Sequence, residues 1–145
     1  MAGTGLVRDR APRTARVARI VAGAVFVLFG LAKFVFHEYE VAEFARFGFA
    51  DADLLVYGVG ALEVVGGAAL LAGLVVRPVA AVLAVNMLGA VSTAGVTVGG
   101  PIHLGLAPAL LLTMLFLVWA GGGRRSDRTA RPVTDATGDG VGSPG

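Results

Sequence analysis

The 145-residue chain contains no cysteine. That excludes disulfides, thiolate metal sites, iron–sulfur ligation and any thiol relay within the chain, so electrons handled in its company must ride on a bound molecule or a partner protein. Charge is also scarce: Asp, Glu, Lys and Arg make up 15% of the residues and the net charge is only +2. The calculated isoelectric point of 9.7 would suit a nucleic-acid binder. The arginines, however, collect at the chain ends and at one turn, which is a pattern of membrane orientation and gives no polyanion-binding face. With two histidines and no His/Glu pair at metal spacing, no metal site is expected.

What the chain has instead is apolar surface: 56% of residues are hydrophobic and the mean hydropathy is +0.79. A soluble domain of this length could not hide so much, so the chain reads as an integral membrane protein of one domain in contact with a lipid bilayer. Its 22 glycines fit close helix packing in lipid, where small residues let backbones approach. Four apolar runs stand out, at 17–36, 54–76, 79–98 and 102–120. The N-terminal run is too long for a signal peptide, has no clean cleavage site after it and is followed by further spans. The expected fold is all-α, a four-transmembrane-helix bundle. Residues 1–15 form a disordered Arg-rich segment, 16–120 the membrane domain and 121–145 a disordered tail rich in Gly, Ser, Thr, Asp and Arg.

The segment between the first two runs carries Glu38, Glu40, Glu43, Asp51 and Asp53 against Arg46 alone, and is placed outside. Every other arginine then lies on the cytoplasmic side, with both termini, in a bacterial plasma membrane. The spacing of Val41, Phe44, Ala45 and Phe47 predicts a short interfacial helix closed by Gly48, and Asp51 or Asp53 is expected to cap the second span. Arg77-Pro78 is expected to make the inner turn. Asn86, Ala90, Thr93 and Thr97 form a stripe on the third run suited to interhelical hydrogen bonds. Gly99-Gly100-Pro101 makes an outer turn, and Pro108 is expected to disturb the fourth helix near His103.

The second run holds a single carboxylate near its middle. About 23 residues at ~1.5 Å each span ~34 Å, against ~30 Å of hydrocarbon, so Glu63 falls inside the membrane. An ionisable group there belongs against protein or a water-filled cavity and marks a functional site. Gly60, Glu63 and Gly67 share one helix face; on the first run Arg19, Gly23, Phe26, Gly30, Lys33 and His37 share another. Each face lets another helix approach closely, and an ion pair of Lys33 with Glu63 is reachable if the lysine stem points inward. Two readings stand for each charge. Lys33 either pairs with Glu63 or reaches back to the outer headgroups; Glu63 is either a proton site or an interhelical lock. His103, at the start of the fourth run, is either interfacial or part of the same polar cluster. Phe34, Phe36, Phe44, Phe47 and Phe49 crowd the outer rim, as anchors or as the mouth of a site for an apolar ring.

Gly30-x-x-Lys33 in the first run, Glu63-x-x-Gly66-Gly67 followed by Gly73 and Arg77 in the second, and Met87 in the third resemble the DoxX family of small four-helix bacterial membrane proteins over residues 16–120. Gly48-Phe49-Ala50 departs from the Gly-x-Pro that many relatives carry before the second span. The resemblance implies association with redox enzymes, since related DoxD proteins are subunits of a thiosulfate:quinone oxidoreductase and some DoxX proteins are linked to oxidative-stress complexes. It singles out Gly30, Lys33, Glu63, Gly66, Gly67 and Arg77. The expected function is a membrane subunit of a redox complex, an oxidoreductase component only in company with a soluble or membrane redox partner. A quinone-like carrier would sit near Lys33, Glu63 and His103, with Glu63 exchanging the proton and Lys33 as its charge partner. The alternative is a non-enzymatic scaffold or small-molecule carrier.

Overall fold

The computed structural model describes residues 11–95, 102–121 and 123. Among them there are five α-helices and no strand: α1 (Pro12–Val35), α2 (His37–Arg46), α3 (Asp53–Ala72), α4 (Val76–Ala90) and α5 (Ala107–Ala120). Two π-helical turns, Val91–Gly95 and Ile102–Leu106, extend α4 and precede α5. Three helices are long and apolar enough to cross a membrane, in α1, α3 and Val76–Thr93, and Leu104–Ala120 is a shorter apolar helix. The all-α membrane bundle expected from composition is therefore the fold observed. Residues 1–10, Thr97, the turn at 99–101 and the tail from 124 onward lie outside the described residues, as does the side chain of His103.

The helix ends differ from expectation in instructive ways. α1 starts at Pro12, where a missing amide proton costs nothing, so the arginines of the N-terminal flank at 13, 16 and 19 are already helical. α3 stops at Ala72 and not at Val76. Gly73 takes the left-handed conformation with φ 71°, and the amides of Gly73 and Leu74 close back on the carbonyls of Leu70 and Ala69 at 3.0 and 2.9 Å. The turn thus lies at 73–75, Val75 itself having φ 36°, while Arg77 and Pro78 sit in the first turn of α4. Hydropathy runs unbroken through Leu74 and Val75, so only the glycine marks the stop.

Neither Asp51 nor Asp53 caps α3; its N-cap is Ala52 and no side chain bonds the free amides. Pro108 does not kink a helix interior. It occupies the first turn of α5, directly after the wider π turn that contains Leu104, whose carbonyl a proline four residues on cannot serve. A short helix α2 does stand between the first two spans, with none of its residues buried.

α1 packs antiparallel on α3 with backbone against backbone. A Cβ on Gly30 would meet the Gly60 carbonyl oxygen at 2.8 Å, and one on Gly67 would meet that of Gly23 at 2.7 Å. Only glycine permits this approach. α4 and α5 form a second pair. The pairs share a core in which Phe26, Leu70, Leu83, Met114 and Leu117 are fully enclosed. The outer surface carries large apolar side chains such as Leu28, Leu54 and Val85, more than half exposed, as a lipid-facing belt requires. α2 and both π turns gather at one end of the bundle, called the α2 end below, opposite the α3–α4 turn.

Candidate functional site

Because the glycines set α1 and α3 at close range, Lys33 and Glu63 meet. Lys33 Nζ lies 3.0 Å from Glu63 Oε2, with 11% and 4% of the two side chains exposed. The approach is that of a charge contact more than of a directed hydrogen bond. The Lys33 ammonium thus sits on the carboxylate and not out at the surface. The other carboxylate oxygen accepts a hydrogen bond of 3.1 Å from Asn86 Nδ2 on α4. Three helices therefore converge on one buried acid, which satisfies the demand that an intramembrane charge be paired and bonded.

A cavity of ≈ 390 Å³ opens from this cluster toward the α2 end. That volume lies within the ~300–1,000 Å³ usual for small-molecule sites. Its lining is mostly apolar: Phe26 and Phe29 from α1, Leu55 and Val59 from α3, Met87 from α4 and Leu110 from α5. Tyr39, Phe44, Phe47 and Phe49 wall the part formed by α2 and the segment after it, and Phe44 is in ring contact with both of its phenylalanine neighbours. Lys33, Glu63, Asn86 and Thr93 supply polarity within, and Glu40 and Glu43 add two further carboxylates. Thr93 Oγ1 also donates to the Gly89 carbonyl at 2.8 Å, one turn back along its own helix. Leu106 and Ala107 line the same cavity at the second π turn, to which His103 belongs by its backbone.

α2 is fastened at its start. His37 Nε2 donates to Asp53 Oδ1 at 3.0 Å, and its ring stacks on Tyr57 with centroids 3.9 Å apart and planes 15° from parallel. Phe34 adds a tilted contact to the same tyrosine at 5.7 Å. On the α2 surface Arg46 Nη1 donates to Glu43 Oε1 at 2.7 Å. Among the described residues no group of three or more His, Asp or Glu side chains is arranged to hold a metal.

The bond of Asn86 to Glu63, the facing of Glu40 and Glu43 into the cavity and the contact of His37 with Asp53 were not expected from the sequence. Asn86 was visible as the one amide in an apolar run, but its partner depends on how α4 turns against α3. Glu40 and Glu43 share a face of α2 at i, i+3, and which way that face points is a tertiary matter.

The DoxX family model matches residues 15–98. The chain is 30% identical over 135 residues to the uncharacterized membrane protein Rv3486 of Mycobacterium tuberculosis (strain ATCC 25618 / H37Rv), with 83% of each chain covered. No solved structure matches it. With the family match spanning more than half the sequence and ending beyond Glu63 and Asn86, the chain belongs to the DoxX family of integral membrane proteins.

Proposed function

We propose that this protein is the membrane subunit of a redox complex and that its cavity takes a quinone-like, lipid-soluble carrier. The observation that carries the reading is the cavity itself: an aromatic and aliphatic chamber, of a size for one ring system, ending on an acid, an ammonium and an amide. The residues fit such a group. Lys33 has three N–H bonds and Asn86 two, so each can hold Glu63 and still offer a donor to a carbonyl oxygen. Bound there, a quinone would supply two-electron chemistry coupled to proton uptake. The chain's own part is to orient the ring between Phe29, Phe44 and Val59, to keep bulk water from it, and to exchange a proton at Glu63 while Lys33 balances the charge left on the carboxylate. A soluble or membrane partner would carry the electrons, since this chain has no thiol or cluster ligand of its own.

The reading includes placement in a bacterial plasma membrane with both termini cytoplasmic, the Arg-rich segments inside and α2 in the outer interface. Reporter fusions at the C-terminus and after Gly48 should report opposite sides. In membranes holding equal amounts of protein, Glu63→Gln should lower quinone-dependent oxidation several-fold; equal activity would remove Glu63 as the proton site. A second reading, a scaffold in which Glu63 is a lock, is favoured by one observation: both carboxylate oxygens are already engaged across helices. Mild-detergent pull-down with mass spectrometry of proteins and retained lipids separates the two, because the redox reading requires an electron-carrying partner and retained quinone.

A further inference from the structure

The charges that line the cavity do not balance. Lys33 faces Glu63 and Arg46 holds Glu43. Glu40, partly buried on α2, is left as the lining carboxylate with no ion pair to a described residue. It lines the same cavity as Glu63. A carboxylate left uncompensated at the edge of a low-dielectric chamber focuses negative potential there. An anion would meet three carboxylates against Lys33 and the Arg46 that holds Glu43. A metal ion would lack ligands, because among the described residues no three His, Asp or Glu side chains are arranged to hold one.

The surroundings of Glu40 point to a different kind of cation. Tyr39, Phe44, Phe47 and Phe49 line the same part of the cavity, and aromatic faces attract soft, weakly hydrated cations, the more so where water is excluded. The rings are not sealed in: Tyr39 is 65% and Phe49 38% exposed. Beyond them the lining turns aliphatic, through Leu55 and Val59, and would receive an apolar body.

We propose that the part of the cavity walled by α2 binds amphiphilic organic monocations, with an ammonium-type head against Glu40 among the aromatic rings and the apolar body extending along α3. The site is separate in its chemistry from the proton site on Glu63 and does not depend on the quinone reading. A cation seated there stands between the α2 end and Glu63, so it also obstructs entry from that side.

The test uses the full chain in phosphatidylcholine nanodiscs and dodecyltrimethylammonium as probe, measured by equilibrium dialysis against empty discs. The neutral comparison is the same chain ending in tert-butyl. The wild type should bind the cation saturably at one per chain, and the neutral analogue should show no saturable binding. Glu40→Gln should weaken cation binding about ten-fold, the scale of one partly desolvated charge contact. Glu38→Gln removes an exposed carboxylate of the same helix that does not face the cavity, and should leave affinity within about two-fold. Phe44→Leu keeps apolar volume but removes a ring, and should cost about three-fold; it carries the test if Glu40→Gln does not fold. Equal losses for Glu38→Gln and Glu40→Gln, saturable binding of the neutral analogue with like affinity, or no saturable cation binding by the wild type would each overturn the proposal. Quinone retained in the same discs reports separately on the redox reading.

Discussion

Replacing Lys33 by methionine removes the ammonium while keeping most of the stem in place. Glu63, only 3% exposed, would keep its hydrogen bond from Asn86 and lose the charge at 3.0 Å. Breaking one side of a buried ion pair typically costs about 3–5 kcal/mol, whereas replacing both partners by groups of similar volume is often neutral. Here the cavity beside the pair and the remaining amide soften the loss, so about 2–3 kcal/mol is expected for Lys33→Met. Glu63→Gln should cost about 1–2 kcal/mol, since the amide keeps a partner in Asn86 while the lysine is stranded. The double variant should lie within about 1 kcal/mol of the wild type, leaving a coupling energy of at least about 2 kcal/mol. Reversible unfolding in mixed micelles, followed by the fluorescence of the single tryptophan, Trp119, gives all four corners of the cycle. If the two single losses simply add in the double variant, the ion pair does not hold α1 to α3 and the site as described is wrong.

Gly67→Ala should lower unfolding stability by about 1–3 kcal/mol, because the added methyl carbon would stand 2.7 Å from a backbone oxygen that cannot move aside. Gly58→Ala, where nothing lies within 4 Å of the new carbon, should be neutral or stabilising by up to about 1 kcal/mol in the same assay. Asn86→Leu should cost about 0.6–1.7 kcal/mol, the range of interhelical hydrogen bonds in lipid; a larger loss would mean that the amide does more than bond Glu63. His37→Ala should free the start of α2 from Asp53 and Tyr57, raising amide exchange across His37–Arg46 while leaving that of α1 and α3 unchanged.

The parts of the fold and site that were legible share a cause. The four apolar runs, and the faces Gly23/Gly30/Lys33 and Gly60/Glu63/Gly67, are properties of single helices with a fixed 3.6-residue period. Two such faces, each small and each bearing one charge of opposite sign, have few other ways to meet in lipid. Once they do, the contact of Lys33 with Glu63 follows. The partner of Asn86 did not follow, since it requires the rotation of α4 about its own axis, which depends on Leu83 packing over Gly66. The turn at Gly73 was misplaced toward the more conspicuous Arg77-Pro78, because hydropathy does not register a change of backbone handedness. The π turns left no trace in a pattern read at one helical period. His37 was read on the face of the first run and Asp53 as a cap, yet they find each other once α2 folds back over the start of α3.

The glycine contacts of α1 with α3 also work as a ruler. Gly23 against Gly67 and Gly30 against Gly60 are two helical turns apart on both α1 and α3, so the helices can neither slide nor swivel without driving a carbonyl into a side chain. A single residue inserted between Gly60 and Glu63 would swing the acid by about 100° and turn it from Lys33 toward the acyl chains. Variation in length within this protein's kin should therefore be confined to the ends and the turns, while the interval from the glycines to the charges stays constant even as the residues around it drift.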